Sequence, residues 1–252
     1  MKHLGLIGYP LGHSFSKSYF NNKFKALGVD NEWFYDTYPI ENIEKFTDLL
    51  KGQPDLVGLN VTIPYKQEVI PFVDKLDKSA SEVGAINCIR IENGILVGYN
   101  TDVYGFEKSL IDMLVDGNID TLPQLSLKAL VLGTGGASKA VAYVMKKLNI
   151  PFHYVSRNRT PESLSYKDVN AEILATHHLI INGTPLGMSP NTEGCPPLPY
   201  ENIGNQHFLY DLVYNPEVTE FMKRGIVQGA KVKNGYDMLL YQAEKGWEIW
   251  NQ

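Results

Sequence analysis

A chain of 252 residues is long enough for one large domain or two modest ones, each with a real hydrophobic core. Hydrophobic residues at 44% and charged residues at 20% exclude a disordered chain, and a net charge of −5 argues against a nucleic-acid or anionic-membrane surface. The two cysteines, Cys88 and Cys195, lie far apart in no metal spacing; they suit a reducing, cytoplasmic setting and offer neither a disulfide framework nor a metal site.

The opening MKHLGLIGYPLGHS has a short apolar run broken by glycines and a proline, without the core of a signal peptide. No later stretch approaches the length of a membrane span. Apolar runs at HLGLIG, EWFYDTYP, LVGLNVT, AINCIR and ILVGYN predict strands. Between the first two, SKSYFNNKFKAL predicts a helix with Phe20, Phe24 and Leu27 on one face and Gly28 as its stop. A helix GFEKSLIDML follows the fifth strand, and then comes DGNIDTLPQLSL, residues 116–127, rich in turn formers. A second series of strands begins after it: LKALVLG, FHYVSR, HLIING, FLYDLVY and AKVKNG. A helix near residue 216 is expected to be capped by Asn215, with Pro216 in its first turn, and to end before Gly229. The chain closes on a helical GYDMLLYQAEKGWEIW. Such alternation predicts an α/β protein with parallel sheets and helices on both faces. The turn-rich stretch suggests two domains, residues 1–115 completed by 236–252, and residues 116–235. No internal repeat of solenoid period is present.

LKALVLGTGGASKAVAYVMKKL joins an apolar strand to an amphipathic helix through Gly133, Gly135 and Gly136. Glycines in that position let a backbone approach a pyrophosphate, which then rests on free N–H groups at the helix start. A tight turn without ligand is the competing reading, but the strand–glycine–helix context favours a dinucleotide. At the end of the next strand an NAD site carries an acidic residue for the ribose 2′-hydroxyl. This chain has Arg157, Asn158, Arg159 and Thr160 there, and a guanidinium suits a 2′-phosphate, so NADP is expected.

Strand ends of the first half form a polar fringe. In GLNVTIPYKQ an apolar strand ends in Asn60, Thr62, Pro64 and Lys66; Pro64 ends the ladder because it has no N–H, and this stretch alone favours Lys66 as the first solvated residue of the next helix. GHSFSKS puts Ser14 and Ser16 at a helix start, where they hold a carboxylate or where Ser16 simply caps the helix. GAINC ends near Asn87, and GYNTD ends at Asn100, Thr101 and Asp102, of which Asp102 also reads as a helix cap. Gln242 shares an apolar stripe with Leu239, Ala243 and Gly246 and therefore needs a partner. Amides, hydroxyls, one lysine and one aspartate together suit a small polyhydroxylated acid.

These motifs resemble the shikimate dehydrogenase family over nearly the whole chain: GYPLGHSFS, NVTIPYK, GAINC, NTD, GTGGAS, NRT, NGTPLGM and NGYDMLLYQA, in that order. The resemblance implies a substrate domain hinged to an NADP-binding Rossmann domain, and reversible reduction of 3-dehydroshikimate to shikimate in the route to chorismate and the aromatic amino acids. It implies Lys66 and Asp102 as catalytic residues, with Ser14, Ser16, Thr62, Asn87, Asp102, Tyr214 and Gln242 around the substrate. It assigns the cofactor to Gly133, Thr134, Gly135, Gly136, Ala137, Asn158, Arg159, Thr160, Leu212, Gly235 and Met238, with no metal. Lys17 stands where the family has proline, Cys88 where it has threonine, and Ser163 near the place of a second arginine. An NAD-using quinate/shikimate dehydrogenase and a non-catalytic metabolite-binding regulator stay open as alternatives. Small molecules are the expected partners, on a monomer or homodimer, with no nucleic acid and no membrane.

Overall fold

The computed structural model describes residues 1–12, 14–117 and 119–252; His13 and Asn118, which fall in the first motif and in the turn-rich stretch, lie outside the described residues. The chain divides into two compact units, Met1–Thr101 with Ala243–Gln252, and Asp102–Gln242. The division falls at Thr101, upstream of residues 116–127.

The first unit contains β1 (Lys2–Gly8), α1 (Phe15–Leu27), β2 (Trp33–Pro39), α2 (Phe46–Gly52), β3 (Leu56–Val61), β4 (Lys75–Leu76), α3 (Lys78–Val83), β5 (Cys88–Glu92) and β6 (Ile95–Tyr99). Among the described residues its strands form a six-stranded sheet in the order β2-β1-β3-β5-β6-β4. The expectation of a parallel sheet needs correction here: β3 pairs with β5, and β5 with β6, antiparallel. For the β5–β6 pair the reason is local. Asn93 and Gly94 both hold positive φ, 51° and 78°, between the paired Glu92 and Ile95, and a two-residue loop of that type folds a chain back on itself.

Helix α1 starts at Ser14, whose hydroxyl accepts the Lys17 N–H, and stops at Gly28 in the left-handed region. Phe20 and Phe24 are fully buried beneath it, but Leu27, expected on the same face, is exposed in the last turn. The last residues of the chain complete this core. Trp250 lies over Gly58, where a Cβ would meet its Nε1 at 2.2 Å, and that nitrogen donates to the Ile89 carbonyl at 2.9 Å. Its ring meets Phe20 edge-on at 5.4 Å.

The second unit takes almost all of α4 (Thr101–Val115), then β7 (Ala129–Leu132), α5 (Gly136–Lys147), β8 (Phe152–Ser156), β9 (Ser163–Ser165), α6 (Ala171–Leu174), β10 (Leu179–Asn182), β11 (Phe208–Asp211), α7 (Glu220–Val227), β12 (Lys231–Lys233) and the first half of α8 (Tyr236–Trp250). Its sheet runs β12-β11-β10-β7-β8-β9 with every described pairing parallel. All four residues of β7 and all four of β10 are buried, as central strands covered on both faces require. Chain order reverses beside β7, so the open crevice of this sheet lies outside the carboxyl ends of β7 and β10.

Helix α4 joins this sheet through Phe106, edge-on to Tyr210 at 5.1 Å, while the Tyr210 hydroxyl donates to Ser109 Oγ at 2.8 Å. Gly105 lets α4 touch α8, since a Cβ there would meet the Met238 carbonyl oxygen at 2.4 Å. Helix α7 begins at Thr219 instead of the expected Asn215. The Thr219 hydroxyl accepts the Met222 N–H at 3.3 Å and donates to the buried Asp211 at 2.6 Å, an anchor that Asn215 lacks.

His207 is fully buried at the amino-terminal end of this sheet. Its Nδ1 accepts the Gly204 N–H at 2.9 Å and its Nε2–H donates to the Leu174 carbonyl at 3.1 Å. Burial holds its pKa below the usual histidine value, against the raising effect of the two backbone contacts. The unfolded chain therefore takes up a proton first as the pH falls below about 6.5, and stability present above that value is lost below it. Thermal unfolding is expected at a lower temperature at pH ~5.5 than at pH ~7.5, with a shallower decline in His207→Gln. Parallel curves for the two proteins would remove His207 from the pH response.

Candidate active site

In the first unit the polar fringe gathers where β1, β3 and the start of α1 end. Ser14 is the cap of α1, so Ser16, expected as a possible cap, instead stands in the first turn, half-buried. Thr62 follows β3, its N–H donating to the Ile7 carbonyl at 2.9 Å, and its methyl group fills the space beside Gly8. Lys66 lies in a run of turns after Pro64, not in a helix, and is half-buried. Its backbone is tied down: the Lys66 carbonyl accepts the Ile86 N–H at 2.7 Å.

Asn87 is 3% exposed. Its Oδ1 accepts the Thr101 N–H at 2.6 Å and its Nδ2 donates to Thr101 Oγ1 at 3.0 Å. Asn60, buried in β3, donates to the Asn87 carbonyl at 3.2 Å and accepts the Tyr35 hydroxyl at 2.7 Å. Asn100 donates to the Ala85 carbonyl at 2.9 Å. Sequence reasoning picked out Asn60, Asn87 and Asn100 at polar strand ends but not Tyr35. An asparagine inside a buried strand is a signal that a partner must exist, although it does not say which.

In the second unit, Asp102 stands in the first turn of α4, which opens at Thr101 and not near Gly105 as the apolar pattern suggests. Asp102 is thus a first-turn carboxylate favoured by the helix dipole, not the cap itself. Gln242 is 7% exposed and donates to the Leu239 carbonyl of its own helix at 3.0 Å, and its backbone packs against Gly105. Tyr214 is exposed beyond β11. Gly235 and Leu212 are in contact: a Cβ on Gly235 would meet the Leu212 carbonyl oxygen at 2.2 Å. Met238, half-buried, follows one turn later on α8.

A cavity of about 610 Å³ opens at the carboxyl ends of β7, β8 and β10, bordered by Gly133–Gly135, Ser156, Arg157, Tyr166 and Gly183–Leu186. Gly133 holds φ +93°, which a side chain resists, and nothing lies within 4 Å of a Cβ built on Gly135 or Gly136. Helix α5 begins at Gly135 with no side-chain cap, leaving its first N–H groups to whatever the cavity receives. Glycine cradle, uncapped helix start and switch point coincide, and a dinucleotide pyrophosphate fits that donor set.

Beyond β8, Asn158, Arg159 and Thr160 are exposed, and no carboxylate stands among residues 156–160. Arg159 reaches Asp168 at 3.4 Å, whose carboxyl is held below its usual pKa by hydrogen bonds from Ser165. Ser163 is turned inward, its hydroxyl within 2.9 Å of Thr160 Oγ1 and 3.2 Å of Ser156 Oγ.

Behind the β10 and β11 ends lies a buried group that sequence reasoning missed. Asp211 accepts from Asn182 Nδ2 and the Val213 N–H, both at 3.0 Å, and from Thr219. Asn182 in turn accepts the Thr184 hydroxyl at 2.6 Å. Burial pushes the Asp211 carboxyl up to about 6, with the three hydrogen bonds pulling the other way. This knot fixes the loops carrying Thr184 and Leu212. Its aspartate is a lone polar residue in an apolar run, with no spacing to announce it.

Among the described residues, no helix is long and apolar enough to cross a membrane, and no group of three or more His, Cys, Asp or Glu is placed to hold a metal ion.

The family model for the shikimate dehydrogenase substrate binding domain matches residues 6–89. The NADP(+) shikimate dehydrogenase of Methanococcus maripaludis strain C7 is 34% identical, over 99% of this chain and 91% of its own length. The crystal structure of the Aquifex aeolicus shikimate dehydrogenase superposes with a TM-score of 0.83 at 31% identity, over 99% of this chain and 92% of that one. That of the Thermus thermophilus enzyme, in complex with NADP(H) and shikimate, does so with a TM-score of 0.80 at 27% identity, over 99% of this chain and 93% of that one. The order of the motifs, the paired α/β units and this full-length similarity lead to one conclusion: the chain belongs to the shikimate dehydrogenase family.

Proposed function

We propose that this protein is an NADP-dependent shikimate dehydrogenase, interconverting 3-dehydroshikimate and shikimate. The observation that carries the reading is the glycine-lined cavity at the switch point of the parallel sheet, with Arg157 on its border and no carboxylate at the end of β8. Full-length similarity to NADP(+) shikimate dehydrogenases supports it. In this reading Met1–Thr101 with the end of α8 is the substrate domain, and Asp102–Gln242 the Rossmann domain.

The cofactor supplies the hydride acceptor when bound. Gly133, Thr134, Gly135, Gly136 and Ala137 hold its pyrophosphate with backbone N–H groups, and Asn158, Arg159 and Thr160 meet the adenosine phosphate. Leu212, Gly235 and Met238 serve its nicotinamide. Ser14, Ser16, Thr62, Asn87, Tyr214 and Gln242 bind and orient the substrate acid and its hydroxyls.

Oxidation of the substrate alcohol releases the hydroxyl proton, and a group with an adjustable pKa must receive it. Lys66 is our choice for that group. An amine can take up that proton and a carboxylate can assist its transfer, so Lys66 and Asp102 are the catalytic residues of this reading. Ligands in this reading are small molecules, on a monomer or homodimer in a reducing cytoplasm that suits the free thiols Cys88 and Cys195.

The direct test follows absorbance of the reduced nicotinamide with shikimate and NADP+, repeated with quinate and with NAD+. Turnover is expected with the first pair above the others; a rate only with NAD+ and quinate would replace the reading with a quinate dehydrogenase, and no turnover would leave a binding protein. Cofactor choice is tested further by Arg157→Ala. A hydrogen bond to a charged group is worth about 1.5–3 kcal/mol, so the NADP+ dissociation constant is expected to rise roughly 10–100-fold while that of NAD+ stays level. Equal losses for both nucleotides would mean that Arg157 does not read the 2′-phosphate.

A further inference from the structure

We infer that Asp211, buried at the end of β11, is a positioning residue for the cofactor: through Asn182 it holds Thr184 beside Gly133, the first glycine of the cradle. The inference rests on the cofactor role proposed for that cradle. Asp211, Asn182 and Thr219 are all fully buried. Asp211 Oδ1 accepts the Asn182 Nδ2–H and the Val213 N–H, both at 3.0 Å, and Oδ2 accepts the Thr219 hydroxyl at 2.6 Å. Donors from the end of β10, the exit of β11 and the start of α7 thus converge on one carboxylate.

A carboxylate only accepts hydrogen bonds, so the end of the Asn182 amide that faces Asp211 is the nitrogen. The amide oxygen is thereby turned to Thr184. It accepts the Thr184 N–H at 3.0 Å and the Thr184 hydroxyl at 2.6 Å. Thr184 Oγ1 in turn accepts the Leu186 N–H at 3.3 Å, which extends the hold along the segment. Without Asp211 nothing fixes the sense of the amide. Reversed, its NH2 group meets the Thr184 N–H donor against donor.

Gly183–Leu186 borders the glycine-lined cavity. Two close contacts carry the position of this segment to the phosphate-binding backbone. A Cβ built on Gly133 would meet the Thr184 methyl carbon at 3.0 Å, and one built on Gly183 would meet Ser138 Oγ, in the first turn of α5, at 2.5 Å. Packing that close leaves no slack, so a shift of residues 183–184 displaces Gly133 and the first turn of α5, whose N–H groups are the pyrophosphate donors. The residues for the adenosine phosphate are held elsewhere, Thr160 by Ser163 and Arg159 by Asp168.

The experiment measures NADP+ by fluorescence titration, and adenosine 2′-phosphate by competition against it, in the wild type and in Asp211→Ala. The NADP+ dissociation constant is expected to rise about tenfold, the effect of one buried hydrogen bond lost with its partner left unsatisfied. That of adenosine 2′-phosphate, which carries no pyrophosphate, should not move; a general loosening of the unit would weaken both ligands alike. Asp211→Asn keeps an oxygen that accepts the same two N–H groups and should stay within about threefold of the wild type. Asn182→Ala should match Asp211→Ala. The double variant of the two should lose less than the product of the single effects, because both break one connection.

Unchanged NADP+ affinity in Asp211→Ala, equal losses for the two ligands, an Asp211→Asn protein as weak as Asp211→Ala, or losses that multiply would overturn the inference. Should Asp211→Ala not fold, Asn182→Ala breaks the same connection and leaves Asp211 two of its three donors, Val213 and Thr219. That variant is expected to fold with the tenfold loss, and wild-type NADP+ affinity in it overturns the inference too. Failure of the underlying reading is seen separately: wild-type protein that does not bind NADP+ ends both, while equal NADP+ binding by the wild type and Asp211→Ala ends only this one.

Discussion

Lys66→Ala is expected to lower kcat for shikimate oxidation by about 10²–10⁴-fold, the usual contribution of a positioned proton-transfer group. The fold should survive the change. Lys66 is half-buried in a run of turns, and its structural contact with Ile86 is made by the backbone carbonyl, which alanine retains. The NADP+ dissociation constant should stay at the wild-type value, because the cofactor residues all lie in the other unit. Lys66→Arg separates proton transfer from charge. A guanidinium keeps the positive charge but does not deprotonate in the working range, so arginine should not restore turnover. A Lys66→Ala protein with near-wild-type kcat would remove the lysine from the mechanism.

Trp250→Ala is expected to cost about 3–5 kcal/mol, the range for deleting a buried aromatic side chain. For a chain of this size that corresponds to a fall of roughly 6–20 °C in the midpoint of thermal unfolding. The loss has three parts: the indole's apolar area against Phe20 and Tyr35, its hydrogen bond to the Ile89 carbonyl, and the filling of the space over Gly58. Trp250→Phe keeps much of the packing and removes the N–H donor, so it should cost about 1–3 kcal/mol. Differential scanning of the two variants beside the wild type measures both. A midpoint that moves by less than about 3 °C in Trp250→Ala would mean that the end of α8 does not complete the first core.

Much of this molecule is legible without coordinates. The two strand series, the glycine cradle before α5 and the stop at Gly28 rest on local rules, which a short window of sequence contains. The hairpin between β5 and β6 is also written there, in Asn93-Gly94, and the expectation of a parallel first sheet passes over it. Ser16 and Asp102 look like caps because serine and aspartate are good caps anywhere. Only the backbone trace shows that each helix starts one or two residues earlier, which turns both side chains into first-turn residues.

Other features have no local trace. Tyr35 reads as one more aromatic in a strand, and Asp211 as an interruption in an apolar one. Their meaning comes from partners far along the chain, Asn60 for the first and Asn182 with Thr219 for the second. By itself the sequence determined the α/β class, the cradle and the family's motifs, because turn chemistry and hydrophobic period act over a few residues. Only the tertiary structure decided which buried polar groups pair, since a hydrogen bond depends on where side chains meet in space, and separation along the chain says nothing about that.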